Sequence, residues 1–272
     1  MKKILAAVFA IALFSGYSYP KHKPETKCRK QITPFTVDGN TRDWKTDSLS
    51  FDGKTGFAYA FTNDRHNLYI HLKMLDVNVQ RKALITGLTV WIDPDGKGKH
   101  VLGIVYPQGR KQRPSSGRTG HPGQRPSVRK PRNSGDHGLS PEQIRMFNKH
   151  FAGEVPRFKG FEKQGFSGEE KIYVRLKMDT LGHVVYEAKI PLKTIFKKPA
   201  DYLTRAKPFS LILETGYLQM DMSRMQGHGG MGGGGRGMGG RQHPDASRMA
   251  FMQSMAEASR LKIKTVKLYQ IK

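Results

Sequence analysis

The chain has 272 residues, 37% of them hydrophobic, and its 47 Lys and Arg against 22 Asp and Glu give a formal net charge of +25. This excess favours anionic partners such as acidic polysaccharide, lipid headgroups or nucleic acid. The single cysteine, Cys28, excludes an internal disulfide, and we expect its thiol to be unpaired and exposed.

The first residues predict a secretory signal peptide over 1–18. Lys2 and Lys3 form a positive start, residues 4–14 are continuously apolar, and small residues follow as at a cleavage site. Eleven apolar residues are too few to span a bilayer, which takes about 20. We therefore expect a secreted or periplasmic chain, with a flexible polar tail over 19–31 and one domain over 32–272.

Period-two alternation of apolar and polar residues predicts half-buried strands in the first half of the domain. Segments 57–61 and 68–74 alternate around the turn 63–67, which predicts an antiparallel hairpin. Segments 88–92 and 101–106 predict a second hairpin. Its turn contains Asp93, Pro94 and Asp95, and Gly96 supplies the positive φ that such a turn needs.

The segment 108–139 predicts a disordered basic insert, because it combines low hydrophobicity with high charge. It is either a solvated loop or an arm that contacts polyanions. The segment contains no aromatic residues for base stacking, which argues against nucleic acid as its partner. The candidate polyanion-binding residues are Arg110, Lys111, Arg113, Arg118, Arg125, Arg129, Lys130 and Arg132.

Two short helices are predicted among the remaining strands. The first begins with Ser140 as the cap, Pro141 at the first helical position and Gln143 three residues after the cap, and it ends at Gly153. A helical turn over 191–196 is the second. Strands are expected over 172–178, 183–190, 209–213 and 261–268, which makes the fold all-β.

The segment 222–243 predicts a second disordered insert, rich in Gly and Met. We also expect Asp245 to cap a short helix whose Met249, Met252 and Met255 form a packing stripe. Thioethers do select Cu(I) in secreted proteins, so Met-rich copper handling stays open as a less favoured alternative. No metal site or cofactor is predicted, and haem ligation by a Met and His pair is the least favoured alternative.

Several short motifs resemble the family 9 carbohydrate-binding modules and their DOMON-type relatives. They lie within 32–107, 170–218 and the last strand, and they are Val37-Asp38-Gly39, Asp43-Trp44, Asn67-Leu68-Tyr69-Ile70, Val90-Trp91-Ile92-Asp93-Pro94-Asp95-Gly96 and Tyr186-Glu187-Ala188-Lys189-Ile190-Pro191-Leu192. The resemblance implies a jelly-roll-like antiparallel β-sandwich. Relatives bind sugars between aromatic rings or haem through Met and His.

Sugar binding requires aromatic faces and a few orienting polar groups. Trp91 lies on the more polar face of its strand and is the leading candidate. The other candidates are Tyr106, Tyr59, Tyr69 and His71.

A structural role is predicted for two other motifs. We expect Trp44 to cover the end of the sandwich, with Asp38, Gly39 and Asp43 ordering the adjoining turn. The motif Asp93, Asp95 and Gly96 is read as an ordinary turn, because a calcium loop would need an acid at its twelfth position, where Ile104 stands.

The sequence contains none of the common hydrolase, metalloprotease or phosphate-binding motifs, so no catalytic residue is predicted. Glu187 and Glu214 are expected to form structural salt bridges with neighbouring Lys or Arg. The leading hypothesis is a secreted, non-catalytic binding module for an extracellular or cell-envelope carbohydrate. The alternative is a surface protein that binds polyanions through the basic insert.

Overall fold

A computed structural model describes residues 26–31, 35–40, 43–44, 49–109, 140–164, 171–218 and 253–270. The predicted signal peptide, the Gly/Met-rich insert and the eight candidate polyanion-binding residues lie outside the described residues, as do Asp245, Met249 and Met252.

Twelve strands, four α-helices and a further helical segment at 253–256 are present along the described residues. The strands are β1 (Thr26–Lys27), β2 (Arg29–Lys30), β3 (Ser50–Asp52), β4 (Phe57–Asn63), β5 (Asn67–Met74), β6 (Leu88–Asp93), β7 (Leu102–Val105), β8 (Arg157–Lys159), β9 (Tyr173–Met178), β10 (Val184–Pro191), β11 (Phe209–Thr215) and β12 (Arg260–Lys267). The helices are α1 (Val77–Thr86), α2 (Pro141–Ala152), α3 (Leu192–Ile195) and α4 (Pro199–Leu203), and a 3-10 turn occupies Phe161–Gln164.

The strands form two sheets of six strands each within the described part of the chain. Sheet I has the order β1-β12-β11-β6-β7-β8. Sheet II has the order β2-β4-β5-β10-β9, and β3 pairs with β4 along the same edge as β2. The fold is strand-rich, with few and short helices, and is compatible with a β-sandwich.

The main hydrophobic core draws its side chains from both sheets, on the residues that the alternation predicts. Leu68, Ile70, Leu72 and Met74 of β5 belong to one cluster with Val90 of β6. Both predicted hairpins are confirmed, as β4–β5 and β6–β7. One face of each sheet therefore excludes water, and any ligand that binds to a sheet must use an outer face.

The N-terminal strands correct the predicted tail. β1 pairs in parallel with β12 of sheet I, and β2 pairs in parallel with β4 of sheet II, so residues 26–30 join the two sheets at one edge. Each sheet thus contains one parallel pair of strands, so the sheets are not entirely antiparallel as expected. Cys28 lies at the crossing point with 3% of its surface exposed, contrary to the expected exposed thiol, and burial raises its pKa.

The predicted helix after the basic insert is confirmed as α2. The Ser140 side chain accepts a hydrogen bond from the Gln143 amide, and the Gln143 side chain accepts one from the Ser140 amide, which forms a capping box. The expected helical turn is α3. Residues 253–256 are also helical, and Met255 is buried as the methionine stripe predicts.

The helices α1 and α4 were not predicted. In α1 the buried residues are Gln80, Lys82 and Ala83, so its buried face does not read as an apolar stripe. The Lys82 ammonium donates to the Ser254 carbonyl at 2.6 Å and to the Ser259 hydroxyl at 3.0 Å, and burial lowers its pKa. Polar bonding to a distant segment positions this helix.

Among the described residues, the structure contains no helix that combines the length and the apolar character needed to cross a membrane.

Asn63, fully buried at the end of β4, fastens the C-terminal segment to sheet II. Its side-chain oxygen accepts from the Tyr269 amide at 2.7 Å, and its amide group donates to the Tyr269 and Asp64 carbonyls. We predict that Asn63→Ala lowers the free energy of unfolding by about 2 kcal/mol, because it leaves a backbone donor unpaired.

Urea unfolding of the purified protein measures this loss. The matched control is Asn78→Ala, which changes an exposed side chain at the start of α1 and should stay within about 0.5 kcal/mol of the parent. Equal stability of the two variants would show that the Asn63 bonds do not hold the segment.

Candidate functional site

Trp91 lies on the outer face of sheet I and is partly exposed. Its neighbours in β6, Val90 and Ile92, point into the core, and the alternation therefore turns Trp91 and Thr89 away from it. The expected position of Trp91 on the more polar face is confirmed. Asp93, which was expected on the same face, is buried.

A carboxylate on the neighbouring strand orients the Trp91 ring. The indole nitrogen Nε1 donates to Oε2 of Glu214 at 3.0 Å, and Nε2 of His100 lies 3.2 Å from the same oxygen. Arg260 on β12 forms an ion pair with the other oxygen, Oε1. Glu214 thus serves as a shared acceptor, and its salt bridge with an arginine agrees with the structural role predicted for it.

Two basic or aromatic side chains flank the ring itself. The His100 imidazole stacks on Trp91 with ring centroids 4.6 Å apart and 25° between the planes. The Lys159 ammonium lies 5.2 Å from the centroid of the Trp91 ring, a cation–π distance. The side chain of His100 is 39% exposed, so this group is open to solvent beside the tryptophan.

Gly103 creates the space that the ring occupies. It pairs with Trp91 across β6 and β7, and a Cβ atom on this glycine would lie 2.6 Å from the ring carbon Cζ3. Such a distance is shorter than any van der Waals contact, so a larger residue here would displace the ring. The sequence pattern gave no indication of this requirement.

Two rows of residues paired across the strands of sheet I place basic side chains on both sides of the centre of its outer face. The first row runs Lys262, Ile212, Trp91, Gly103 and Lys159, and the second runs Arg260, Glu214, Thr89, Val105 and Arg157. Each row begins and ends with a cation. We call the surface formed by these two rows and His100 the Trp91 face.

The remaining aromatic candidates do not join Trp91. Tyr106 is 1% exposed and its hydroxyl donates to the Phe151 carbonyl at 2.7 Å, while burial and the charge of Glu154 raise its pKa to about 12. Tyr69 and His71 are buried on sheet II, and Tyr59 is half-buried against the main core. Three of the five predicted sugar contacts, Tyr106, Tyr69 and His71, are therefore buried and not accessible to a ligand.

A second buried cluster covers the outer face of sheet II. Oε2 of Glu187 accepts from the Gly39 amide at 2.7 Å, and Oε1 accepts from Nε1 of Trp44 at 3.0 Å. Trp44 also stacks on His71 with centroids 4.9 Å apart. Trp44 is buried, which agrees with the predicted packing role, but it packs on the middle of the outer face of sheet II rather than over an end. The partners of Glu187 are an amide and an indole rather than Lys or Arg.

The polar side chains of this cluster differ in whether they have hydrogen-bond partners. Oδ1 of Asp38 accepts from the Asn40 amide at 2.7 Å and so orders the turn as predicted, whereas Asp43 is exposed. His71 is fully buried, and neither of its ring nitrogens has a hydrogen-bond partner among the described residues. Its Nδ1 lies 3.6 Å from Oε1 of Glu187, beyond hydrogen-bonding distance.

The motif at 93–96 forms the turn that was expected. Gly96 has φ +69° and its amide donates to the Asp93 carbonyl. The two carboxylate oxygens of Asp93 accept from the amides of Asp95 and Lys99, and the Asp95 carboxylate pairs with Lys97. Within the described ranges, no three metal-ligating side chains come together in a possible metal site.

Most residues of the Trp91 face were not predicted from the sequence. Only the pairing register of the strands places these residues beside Trp91, because Lys159, Lys262 and Arg260 belong to strands far from Trp91 in the chain. A prediction of strand pairing would have been needed to find them.

Comparisons of the chain with protein-family models, with curated proteins and with solved structures found no match.

We predict that Gly103→Ala displaces the Trp91 ring and lowers the free energy of unfolding by about 1–3 kcal/mol through overpacking. Tryptophan fluorescence and urea unfolding measure the two effects. Gly153→Ala is the matched control, because a Cβ there would meet no atom within 4 Å. An unchanged emission spectrum in Gly103→Ala would contradict the close approach of Gly103 to the ring.

We predict that Glu187→Ala lowers the free energy of unfolding by about 3 kcal/mol or more, because two buried donors lose their charged acceptor. Glu187→Gln, which keeps one oxygen, should lose less. Exposed Glu162→Ala is the control and should change stability by no more than about 0.5 kcal/mol. A Glu187→Ala protein as stable as this control would refute the anchoring role of Glu187.

Proposed function

We propose that this protein is a secreted, non-catalytic binding module whose Trp91 face binds an acidic carbohydrate. The observation that carries the proposal is the partly exposed Trp91 ring at the centre of the first of two adjacent rows whose ends are all cations. The jelly-roll-like arrangement, the relation to family 9 carbohydrate-binding modules and the secreted or periplasmic location are parts of the same proposal.

The chemistry of the face supports a sugar that carries negative charge. The Trp91 ring, partly exposed between the His100 imidazole and the Lys159 ammonium, offers apolar C–H surface to a pyranose, and the exposed imidazole can orient hydroxyls. The four terminal cations, Arg157, Lys159, Arg260 and Lys262, are all exposed. The single acid of the two rows, Glu214, is contacted by Trp91, Arg260 and His100, and the four cations outnumber it, which leaves the surface positive.

The dimensions of the face support an extended ligand rather than a single sugar. Each row crosses five strands, and neighbouring strands lie about 4.8 Å apart, so the cations at the two ends are separated by about 19 Å. Acidic groups spaced along a polymer can meet both ends while a ring between them contacts Trp91. A small neutral sugar would use the tryptophan alone.

We predict that Trp91→Ala weakens binding to polygalacturonate or heparin at least about tenfold, because the central apolar contact is lost. Polygalacturonate carries carboxylates alone and heparin carries sulfates in addition to carboxylates, so tighter binding of heparin would show that sulfates contribute to the affinity. Neutral dextran should bind much more weakly than either. Affinity is measured by calorimetric titration at fixed ionic strength.

Matched variants separate the Trp91 face from general charge. Tyr173→Ala removes an aromatic side chain that is 50% exposed on sheet II and should not change affinity. Lys159→Glu should weaken binding and reduce its salt dependence, whereas Lys149→Glu on α2 should change binding little. Unchanged affinity in Trp91→Ala, or equal losses in both lysine variants, would overturn the proposal.

A further inference from the structure

A cleft opens at the edge where the N-terminal strands join the two sheets. Its volume is about 760 Å³, within the usual range for small-molecule sites. The side chains that matter for its chemistry are Lys27, Lys30, Asp64, Arg65, Lys267 and Tyr269. We call it the seam cleft, because β1 belongs to sheet I and β2 to sheet II.

The walls of the seam cleft are held in place by backbone bonds. The Cys28 amide donates to the Lys267 carbonyl at 2.8 Å, and the Gln31 amide donates to the Asn63 carbonyl at 3.0 Å. The buried Asn63 side chain binds both backbone groups of Tyr269. Three distant segments are thereby fixed around one opening, so a ligand would not have to order them on binding.

The charge of the cleft is strongly positive. Lys27, Lys30, Arg65 and Lys267 contribute four cations, and Asp64 contributes the one acid among the lining residues. Oδ1 of Asp64 accepts from the His66 and Asn67 amides, and Oδ2 accepts from the Tyr69 hydroxyl. These neutral groups occupy both oxygens of the carboxylate, so Asp64 serves the turn rather than pairing with the cations.

The ionisation of Asp64 agrees with this geometry. Burial would raise its pKa, but the hydrogen bonds from Tyr69, His66 and Asn67 outweigh burial and lower it. Asp64 is therefore charged at neutral pH, and the net charge of the cleft is four cations less one acid, or +3. Tyr269, with 41% of its surface exposed, adds an aromatic ring to the same wall.

We infer that the seam cleft is a second binding site, which takes a sugar bearing a phosphate or sulfate ester. The cations bind the ester group, and the Tyr269 ring contacts the sugar. The site is separate from the Trp91 face. Lys267 and Lys262 are five residues apart on β12, which corresponds to about 17 Å along the strand.

The test is a titration of the isotopically labelled protein with glucose 6-phosphate and glucose 6-sulfate, followed by the backbone amide signals in NMR spectra. We expect saturable shifts at Lys27, Arg65 and Tyr269 with at least one ester and none with glucose. Comparison of the two esters identifies the favoured anion. Absence of shifts at these residues with both esters would overturn the inference without any variant.

Variants then assign the binding to the cleft. Lys30→Glu combined with Arg65→Glu should weaken ester binding at least about tenfold, since two attractions become repulsions. Lys54→Glu changes an exposed residue in the turn before β4, at the end of that strand away from the cleft, and should leave affinity unchanged, as should Trp91→Ala. If Lys54→Glu weakened ester binding equally, the loss would be due to the net charge of the protein, and the assignment of ester binding to the seam cleft would be wrong.

A variant of Tyr269 and a titration with inorganic phosphate test the sugar contact separately from the charge contact. If the double variant does not fold, Tyr269→Ser tests the contact between the sugar and the tyrosine ring, because this side chain is exposed. The variant should weaken binding of the sugar esters but not binding of inorganic phosphate. Inorganic phosphate that binds as tightly as glucose 6-phosphate would contradict the sugar contact. Because Trp91→Ala is a control here, failure of the seam cleft and failure of the Trp91 face are distinguishable.

Discussion

Every strand of this protein has two faces, and only one of them can be used for the shared core. The core takes Leu68, Ile70 and Leu72 from sheet II and Val90 and Ile92 from sheet I. Each sheet therefore keeps an outer face that must be covered, made polar or used. The two sheets meet this constraint in different ways, and the difference decides where a ligand can bind.

The outer face of sheet II is covered by other residues around Glu187, whereas the outer face of sheet I is accessible at Trp91. On sheet II, Trp44 and Gly39 close over Glu187, and the aromatic residues Tyr69 and His71 become buried. On sheet I, Trp91 is held by Glu214 yet stays partly exposed, with Gly103 leaving room for its ring. The same kind of hydrogen bond, from an indole to a carboxylate, therefore occurs in a buried cluster on sheet II and on an accessible surface on sheet I.

The elements that the sequence predicted are those whose signal is local. Alternation found both hairpins, and the arrangement of Ser140, Pro141 and Gln143 located the start of α2. Gly96 marked its turn through its positive φ. The choice of Trp91 over Trp44 as the exposed tryptophan followed from the polarity of neighbouring residues in the same strand.

The features that the sequence did not predict depend on distant partners. Burial of Cys28 and of Tyr106 results from segments that arrive from elsewhere in the chain, namely the last strand and α2. The helix α1 buries Lys82, which no amphipathic pattern indicates, because its partners are Ser254 and Ser259. The cations of the Trp91 face were missed for the same reason, since only strand register places them beside the tryptophan.

The central claim is that a ligand covers Trp91 and leaves Trp44 as it is. The direct measurement is acrylamide quenching of tryptophan fluorescence with and without saturating polygalacturonate or heparin. Acrylamide is uncharged, so the basic surface does not bias it. We expect an acidic glycan, and not dextran, to suppress the quenching of Trp91. Quenching that stays unchanged although an acidic glycan is bound would show that the ligand does not cover Trp91.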